Sequence, residues 1–306
     1  MITDAVVSHV EIDPDTNRAQ GVAFVHRATK ESKQVRGKVV VLCAQALEST
    51  RILLNSSTGE HPKGLGNSSG LLGRYLMDHV VGGGASGTFD DLRDVPAANP
   101  PHRPNGIYLV RFRNTPGTTR HPHFIRGYGY QGRSRPEFSM DAPGLGADYK
   151  KAVKLGKYEV SLGAFGESLA NFDNFCEIDP NLKDAWGIPA LRISMAHGKN
   201  EAALMHDAGV SAAEMLEAAG AKNISLRTGV EMPGMAIHEV GIARMGNDPK
   251  KSVLNAFCQS HDVPNLLVTD GSCFVSSACQ NPTLTMMAIT VRACDHLIER
   301  FRRNEI

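Results

Sequence analysis

The sequence predicts an α/β section and an α+β section within one chain. Three observations carry this. The run Val39-Val40-Val41-Leu42-Cys43 is apolar at every position, as in a strand buried on both faces of a parallel sheet. Residues 76–235 lose that character and hold strand-like pieces around one long helix. From residue 236 the strand-then-helix pattern returns. The expected organisation is an α/β section at residues 1–75 that resumes at 236–306, with an antiparallel-sheet section at 76–235 between them. A length of 306 residues suits about two domains of ordinary size.

The elements follow from local pattern. Residues 5–12 carry Val6, Val7, Val10 and Ile12, and Asp13-Pro14-Asp15 turns the chain. Residues 19–27 alternate around Val22, Phe24 and His26, and residues 32–44 end in the apolar run. Short spacing with turn residues between predicts an antiparallel meander. Residues 46–55 read as a helix through Leu47, Ile52, Leu53 and Leu54, before a Gly- and Ser-rich loop at 56–75. In the middle section, 106–113, 123–130, 159–166 and 190–194 read as strands. Residues 200–219 place Ala203, Leu204, Ala208, Ala212, Met215, Leu216 and Ala219 on one helical stripe, with Gly220 as the stop. Residues 265–269 form a further apolar strand. Asn281-Pro282 then opens a final helix, with Asn as N-cap and Pro in the first turn. Its expected buried face is Leu284, Met287, Ala288, Val291, Cys294, Ile298 and Phe301.

Composition excludes several classes. Apolar residues make up 42% and charged residues 21%, enough for a packed core. Lys plus Arg number 33 against 32 Asp plus Glu, which argues against nucleic acid or an anionic membrane surface as main partner. No apolar run is long enough for a transmembrane segment. Two triplets, Gly82/Gly84/Gly87 and Gly127/Gly129/Gly132, fit G-x-G-x-x-G. Neither opens a helix, so both are read as turns and strand edges. The six cysteines show no C-x-x-C spacing and are read as free buried thiols. His121-Pro122-His123 has no third ligand nearby and is read as a polar loop or strand pair, not a metal site.

Two residues invite chemistry. His238 lies in Ala-Ile-His-Glu-Val-Gly-Ile-Ala-Arg-Met-Gly, where Gly241 and Gly246 allow close backbone approach. Asn281 stands at a helix start after a buried strand. Each has a bland reading, a structural loop histidine and a simple N-cap. Their joint setting adds more: the carboxyl end of a buried strand beside a helix N-terminus is where open α/β sheets bind cofactors. There a neutral imidazole can accept a hydroxyl proton and an amide can hold the same oxygen. With an electron sink, that is the set for alcohol oxidation by hydride transfer.

The run His238-Glu-Val-Gly-Ile-Ala-Arg-Met-Gly246, with Asn247-Asp-Pro249 and Ser252-Val-Leu254, resembles the carboxyl-terminal signature of the glucose–methanol–choline oxidoreductases. Val263-Pro-Asn-Leu-Leu-Val-Thr-Asp-Gly-Ser272 and Asn281-Pro-Thr-Leu-Thr-Met-Met-Ala288 continue it in register. Residues 39–55 are similar to the family's strand and helix after the flavin-domain meander, and residues 72–79 to its crossing to the substrate domain. The Asn281 version, with Cys273 and Cys279 before it, looks most like the branch of bacterial sugar and glucoside dehydrogenases.

The resemblance implies a partial, Rossmann-like FAD-binding domain with a β-meander, discontinuous over 1–75 and 236–306, a substrate domain at 76–235, and FAD as cofactor. It implies oxidation of a CH–OH group of a sugar, glucoside or other alcohol by hydride transfer to flavin N5. His238 matches the family's catalytic histidine, and Asn281 its oxygen-binding partner. Asp270, Gly271, Pro282 and Thr283 match positions along the ribityl and isoalloxazine part of FAD. The electron acceptor, whether oxygen, quinone or cytochrome, stays open. On this resemblance the chain begins inside the flavin domain, without the glycine-loop unit for the ADP half. Any export signal would lie upstream of Met1, which leaves periplasm and cytoplasm both open. Ala44-Gln45-Ala46 stands where many members have Ala-Gly, which leaves the backbone path there open. Ile242 replaces a frequent Gly or Thr. The alternative is a non-enzymatic module that binds a carbohydrate or a protein.

Overall fold

A computed structural model describes residues 1–90, 106–117, 120–136, 144–154 and 158–306. The chain opens with strands β1 (Ala5–Asp13), β2 (Arg18–His26), β3 (Ser32–Arg36) and β4 (Val40–Leu42), then helix α1 (Ala46–Asn55). Next come strands β5 (Gly83–Phe89), β6 (Ile107–Leu109) and β7 (Tyr128–Pro136), helix α2 (Gly146–Lys154), and strands β8 (Tyr158–Gly166), β9 (Phe175–Lys183) and β10 (Pro189–Ser194). Helix α3 (Lys199–Ala218), strands β11 (Lys222–Thr228) and β12 (Leu266–Val268) and helix α4 (Thr283–Arg302) complete it. Two compact units result. One joins Met1–Asp78, Ser168–Ala196 and Ile237–Ile306; the other joins His79–Glu167 and His197–Ala236.

In the first unit β1, β2 and β3 form the expected antiparallel meander. The third segment divides: pairing with β2 ends at Arg36, and β4 instead pairs parallel with β12, Val41 opposite Leu267. Asn265 knits the two sheets together. Its side chain accepts from the Ala19 N–H (2.9 Å) and donates to the carbonyls of Ala19 (2.6 Å) and Lys38 (2.8 Å). Burial of β4 is one-sided, against expectation: Val40 and Leu42 are buried, whereas Val41 is 43% exposed. Its partner β12 is buried at all three positions, Leu267 opposite Val41 included.

Helix α1 begins and ends where its pattern predicts and sets Ile52 and Leu53 into the core with Val10, Leu42 and Leu266. Its Arg51 reaches the β9–β10 hairpin, pairing with Asp184 (2.5 Å) and donating to the Pro189 carbonyl (2.8 Å). Cys176 of β9 packs with Ala46, Leu76 and Ile242. These contacts are why residues 168–196, grouped by pattern with the middle section, fold with the first unit.

Helix α4 presents the opposite face from the one its pattern suggests. Leu284, Met287, Val291, Ile298 and Phe301 are 48–78% exposed, and Ala288 and Cys294 are exposed with them. The packed face is Ile289, Ala293 and Leu297, with the Thr290 hydroxyl donating to the Thr269 carbonyl (3.0 Å). The helix is apolar on two sides, and periodicity alone cannot choose between them. Pro282 is itself the N-cap, with φ −81°, and no side chain caps the helix. Asn281 is therefore not the cap expected of it.

All six cysteines are free, but Cys43 and Cys294 are exposed rather than buried. Cys43 lies just past the end of β4, and Cys294 lies on the uncovered stripe of α4. Burial pushes the Cys176 thiol up to about 12, which makes it a poor nucleophile at neutral pH. An alkylating agent at neutral pH is expected to label Cys43 and Cys294 in the folded chain, and Cys176, Cys258, Cys273 and Cys279 only after denaturation. Mass spectrometry of labelled peptides reads this directly.

The second unit is an antiparallel sheet in the order β11-β5-β8-β7-β6, covered by α3. Helix α3 buries Leu204, Met205, Ala208, Ala212 and Leu216. β8 and α3 lie where the pattern places them, while β7 starts five residues after the predicted 123 and β6 is only the core of 106–113. β5, with the sequence GGASGTF, gave no signal because its glycines serve packing. A Cβ on Gly83 would stand 2.4 Å from the Met205 carbonyl oxygen of α3, and one on Gly209 would stand 2.1 Å from the Arg227 oxygen of β11. Each glycine triplet thus starts one residue before a strand and runs into it, Gly84 and Gly87 in β5 and Gly129 and Gly132 in β7, and neither opens a helix. His121 stacks on Phe124 (4.0 Å) and approaches Asp207, which also takes a bidentate pair from Arg113. Among the described residues no helix is long and apolar enough to cross a membrane.

Candidate active site

The parallel strands β4 and β12 end side by side. After β4 the chain enters α1; after β12 it makes a single 3-10 turn, Gly271–Cys273. Asp270, 8% exposed, joins the two strand ends. Its carboxylate accepts from the Ser272 N–H (3.0 Å) and hydroxyl (2.6 Å) and from the Ser49 hydroxyl of α1. Ser49 Oγ in turn accepts from the Ala44 N–H (3.0 Å). The Asp270 side chain is therefore engaged within the chain, shaping the turn.

The loop after His238 is held on both sides. On one, the N–H groups of Gly241, Ala243 and Met245 donate to the carbonyls of Gly271 (3.1 Å), Ser272 (2.8 Å) and Cys273 (2.9 Å). On the other, Met77 and Val240 exchange two backbone hydrogen bonds (2.9 and 2.8 Å), and the Gly73 N–H donates to the Ile242 carbonyl (2.7 Å). The Asp78 carboxylate accepts from the His238 N–H (2.9 Å). Gly241, at φ +103°, fits because it has no side chain: a Cβ would lie 2.5 Å from the Tyr75 oxygen. Ile242 is fully buried in a small apolar cluster, which accounts for an aliphatic residue there.

This scaffold brings His238 and Asn281 together. Asn281 Nδ2 lies 3.3 Å from His238 Nε2, at the surface of the unit. In the tautomer with its hydrogen on Nδ1, His238 accepts from the Asn281 amide at Nε2. Ser277 holds the intervening loop, donating to the Ser168 carbonyl (3.1 Å) and accepting from its N–H (3.1 Å). Pro282 and Thr283 follow Asn281 into the first turn of α4. Gly271 packs against Glu239, with a notional Cβ 2.8 Å from the Glu239 oxygen and 2.9 Å from Met286 Cε. All six residues singled out in the sequence thus lie within this one region. Sequence reasoning gave no role to Asp78, Ser49 or the Gln45–Glu239 pair. Asp78 had a signal, since it sits in the quoted 72–79 segment.

Two family models, both described as GMC oxidoreductase, match residues 1–81 and 173–290. The chain belongs to the GMC oxidoreductase family. Among curated GMC relatives, the 2-methyl-1,2-propanediol dehydrogenase of Mycolicibacterium austroafricanum is 32% identical over 95% of this chain and 53% of its own length. The fructose dehydrogenase large subunit of Gluconobacter japonicus is 28% identical over 99% of this chain and 54% of its own. The chain thus spans about half the length of the curated relatives it matches. A formate oxidase of Aspergillus oryzae, solved in a study of FAD modification, superposes with TM-score 0.62 at 14% identity, over 95% of this chain and 59% of its own. That likeness shows the fold.

GMC oxidoreductases use FAD. The residues here fit the ring end of that cofactor. Two helix N-termini, of α1 and α4, stand at the ends of parallel strands, and the one of α4 carries no side-chain cap. Backbone N–H groups so placed favour an anionic neighbour. No glycine loop leading into a helix, as the ADP half requires, occurs among the described residues.

Proposed function

We propose that this chain supplies the catalytic end of an FAD-dependent oxidoreductase acting on CH–OH groups of a sugar, glucoside or other small alcohol. The observation that carries this reading is the 3.3 Å approach of Asn281 Nδ2 to His238 Nε2 beside the α4 N-terminus. FAD, when bound, supplies the hydride acceptor. His238 Nε2 takes the proton of the substrate hydroxyl, and Asn281 donates a hydrogen bond to the same oxygen. Both groups act on one atom, so the oxygen gains charge between a base and a donor already in place. Gly271, Pro282 and Thr283 would hold the ribityl and isoalloxazine part of the cofactor. Asp270 belongs to this set as the residue that holds the turn carrying Gly271. The first-turn N–H groups of α4, which no side chain caps, would favour negative charge on the cofactor there.

The names of the two relatives support a small polyol or sugar as substrate class. Oxygen, a quinone and a cytochrome are all chemically able to reoxidise such a site. The test is anaerobic addition of diols and sugars to a protein that contains this chain and has taken up FAD. Bleaching of the visible flavin band by at least one alcohol or sugar is the expected result. Failure to take up flavin, or a bound flavin that none of them bleaches, overturns the proposal.

A further inference from the structure

Gln45 carries a conformation its side chain does not favour. At φ 77°, ψ 154° it occupies a region of backbone space essentially reserved for glycine. It stands at the N-cap of α1, directly after β4, and its Oε1 accepts from the Leu47 N–H (2.8 Å). Capping alone does not explain it. Ser, Asp, Asn or Gly caps a helix without this strain. What only a longer side chain adds is the second bond. Gln45 Nε2 donates to Glu239 Oε2 at 2.9 Å, across 194 positions of sequence.

Glu239 is the neighbour of His238. The triplet 238–240 is then held at three points: His238 N–H by Asp78, the Glu239 carboxylate by Gln45, and the Val240 backbone by Met77. Two of these act on the backbone of the triplet; Gln45 holds a side chain, as Asn281 does at the His238 imidazole. Its bond is charge-assisted, and it places an anion at the positive end of α1.

We propose that Gln45 is a positioning residue for the catalytic loop: it accepts a glycine-type backbone conformation so that its carboxamide can tie Glu239 to the head of α1 and hold His238 in register with Asn281. This rests on the reading of His238 as the base. The residue does not touch the reacting atoms. It limits rotation of the 238–239 peptide, and with it the direction in which the imidazole points.

Strain and tether separate in the test. Gln45→Gly removes the strain, the tether and the side-chain cap on Leu47, Gln45→Ala removes the tether and the cap but keeps the strain, and Glu239→Gln keeps an acceptor oxygen for Gln45. Each is made in the FAD-loaded protein that contains the chain. Gln45→Gly is expected to melt at the same temperature or higher, yet to slow flavin bleaching at saturating alcohol about 10- to 100-fold. Its ε-carbon NMR signal for His238 shifts or broadens, a readout independent of turnover. Gln45→Ala melts lower and is equally slow, and Glu239→Gln stays near the parent rate. A Gln45→Gly protein with parental rate and an unmoved His238 signal overturns the proposal, as does one whose rate and melting temperature fall together. Failure of the base assignment is recognised apart from this, because His238→Ala then bleaches at the parent rate, whereas the His238 NMR signal in Gln45→Gly still reports on the tether.

Discussion

Alanine in place of His238 is expected to slow alcohol-driven flavin reduction by about 10²- to 10⁴-fold, the usual contribution of a general base. The protein keeps its yellow colour and its melting temperature. His238 is only partly buried, and its side-chain bond to Asn281 is at the surface, so truncation opens no core cavity. Its backbone N–H still reaches the Asp78 carboxylate, so the loop keeps its course. What is lost is the acceptor for the hydroxyl proton. Stopped-flow mixing of the variant with substrate under nitrogen measures this. A variant that bleaches at the parent rate removes His238 from catalysis.

Alanine at position 241 has the second large effect, and it acts on folding. The added Cβ meets the Tyr75 oxygen at 2.5 Å and Met77 Cε at 2.6 Å, and the backbone there sits at φ +103°. The neighbouring segment cannot yield easily, because Met77 and Val240 are joined by two hydrogen bonds. Strain and overpacking together cost about 3–5 kcal/mol, a drop in melting temperature of roughly 5–8 °C for a chain of this size. Gly59 is the control. A Cβ there meets nothing within 4 Å, so Gly59→Ala is expected to melt with the parent. Equal melting of the two variants would show that the 241 turn is not the tight contact described.

Legibility in the sequence followed from how one-sided each element is. Helix α1 has one apolar face and a polar remainder, and its limits could be read directly. The meander was legible from turn residues at short spacing. Helix α4 is apolar on two sides, so its pattern located the helix but not the covered face. Strand β5 was invisible because the residues that let α3 approach are glycines, which read as turns. The β9–β10 hairpin was assigned to the wrong section because its attachment runs through Arg51 and Asp184, a long-range pair no local pattern encodes. In the site, His238 and Asn281 carried a signal through their motifs. Asp270 was legible as a site position, but not as a residue turned inward to Ser49 and Ser272. Gln45 was noticed as a departure from Ala-Gly. Only coordinates reveal that the main chain keeps a glycine-type path beneath it.

The uncovered stripe of α4 has a practical consequence. Cys294 lies among Val291, Ile298 and Phe301, and its sulfur is open to reagents. A fluorophore attached there works as a built-in gauge of contact. Its emission in water, in a longer polypeptide or in an assembly reports whether that oily flank has been shielded, with no engineering of the redox site.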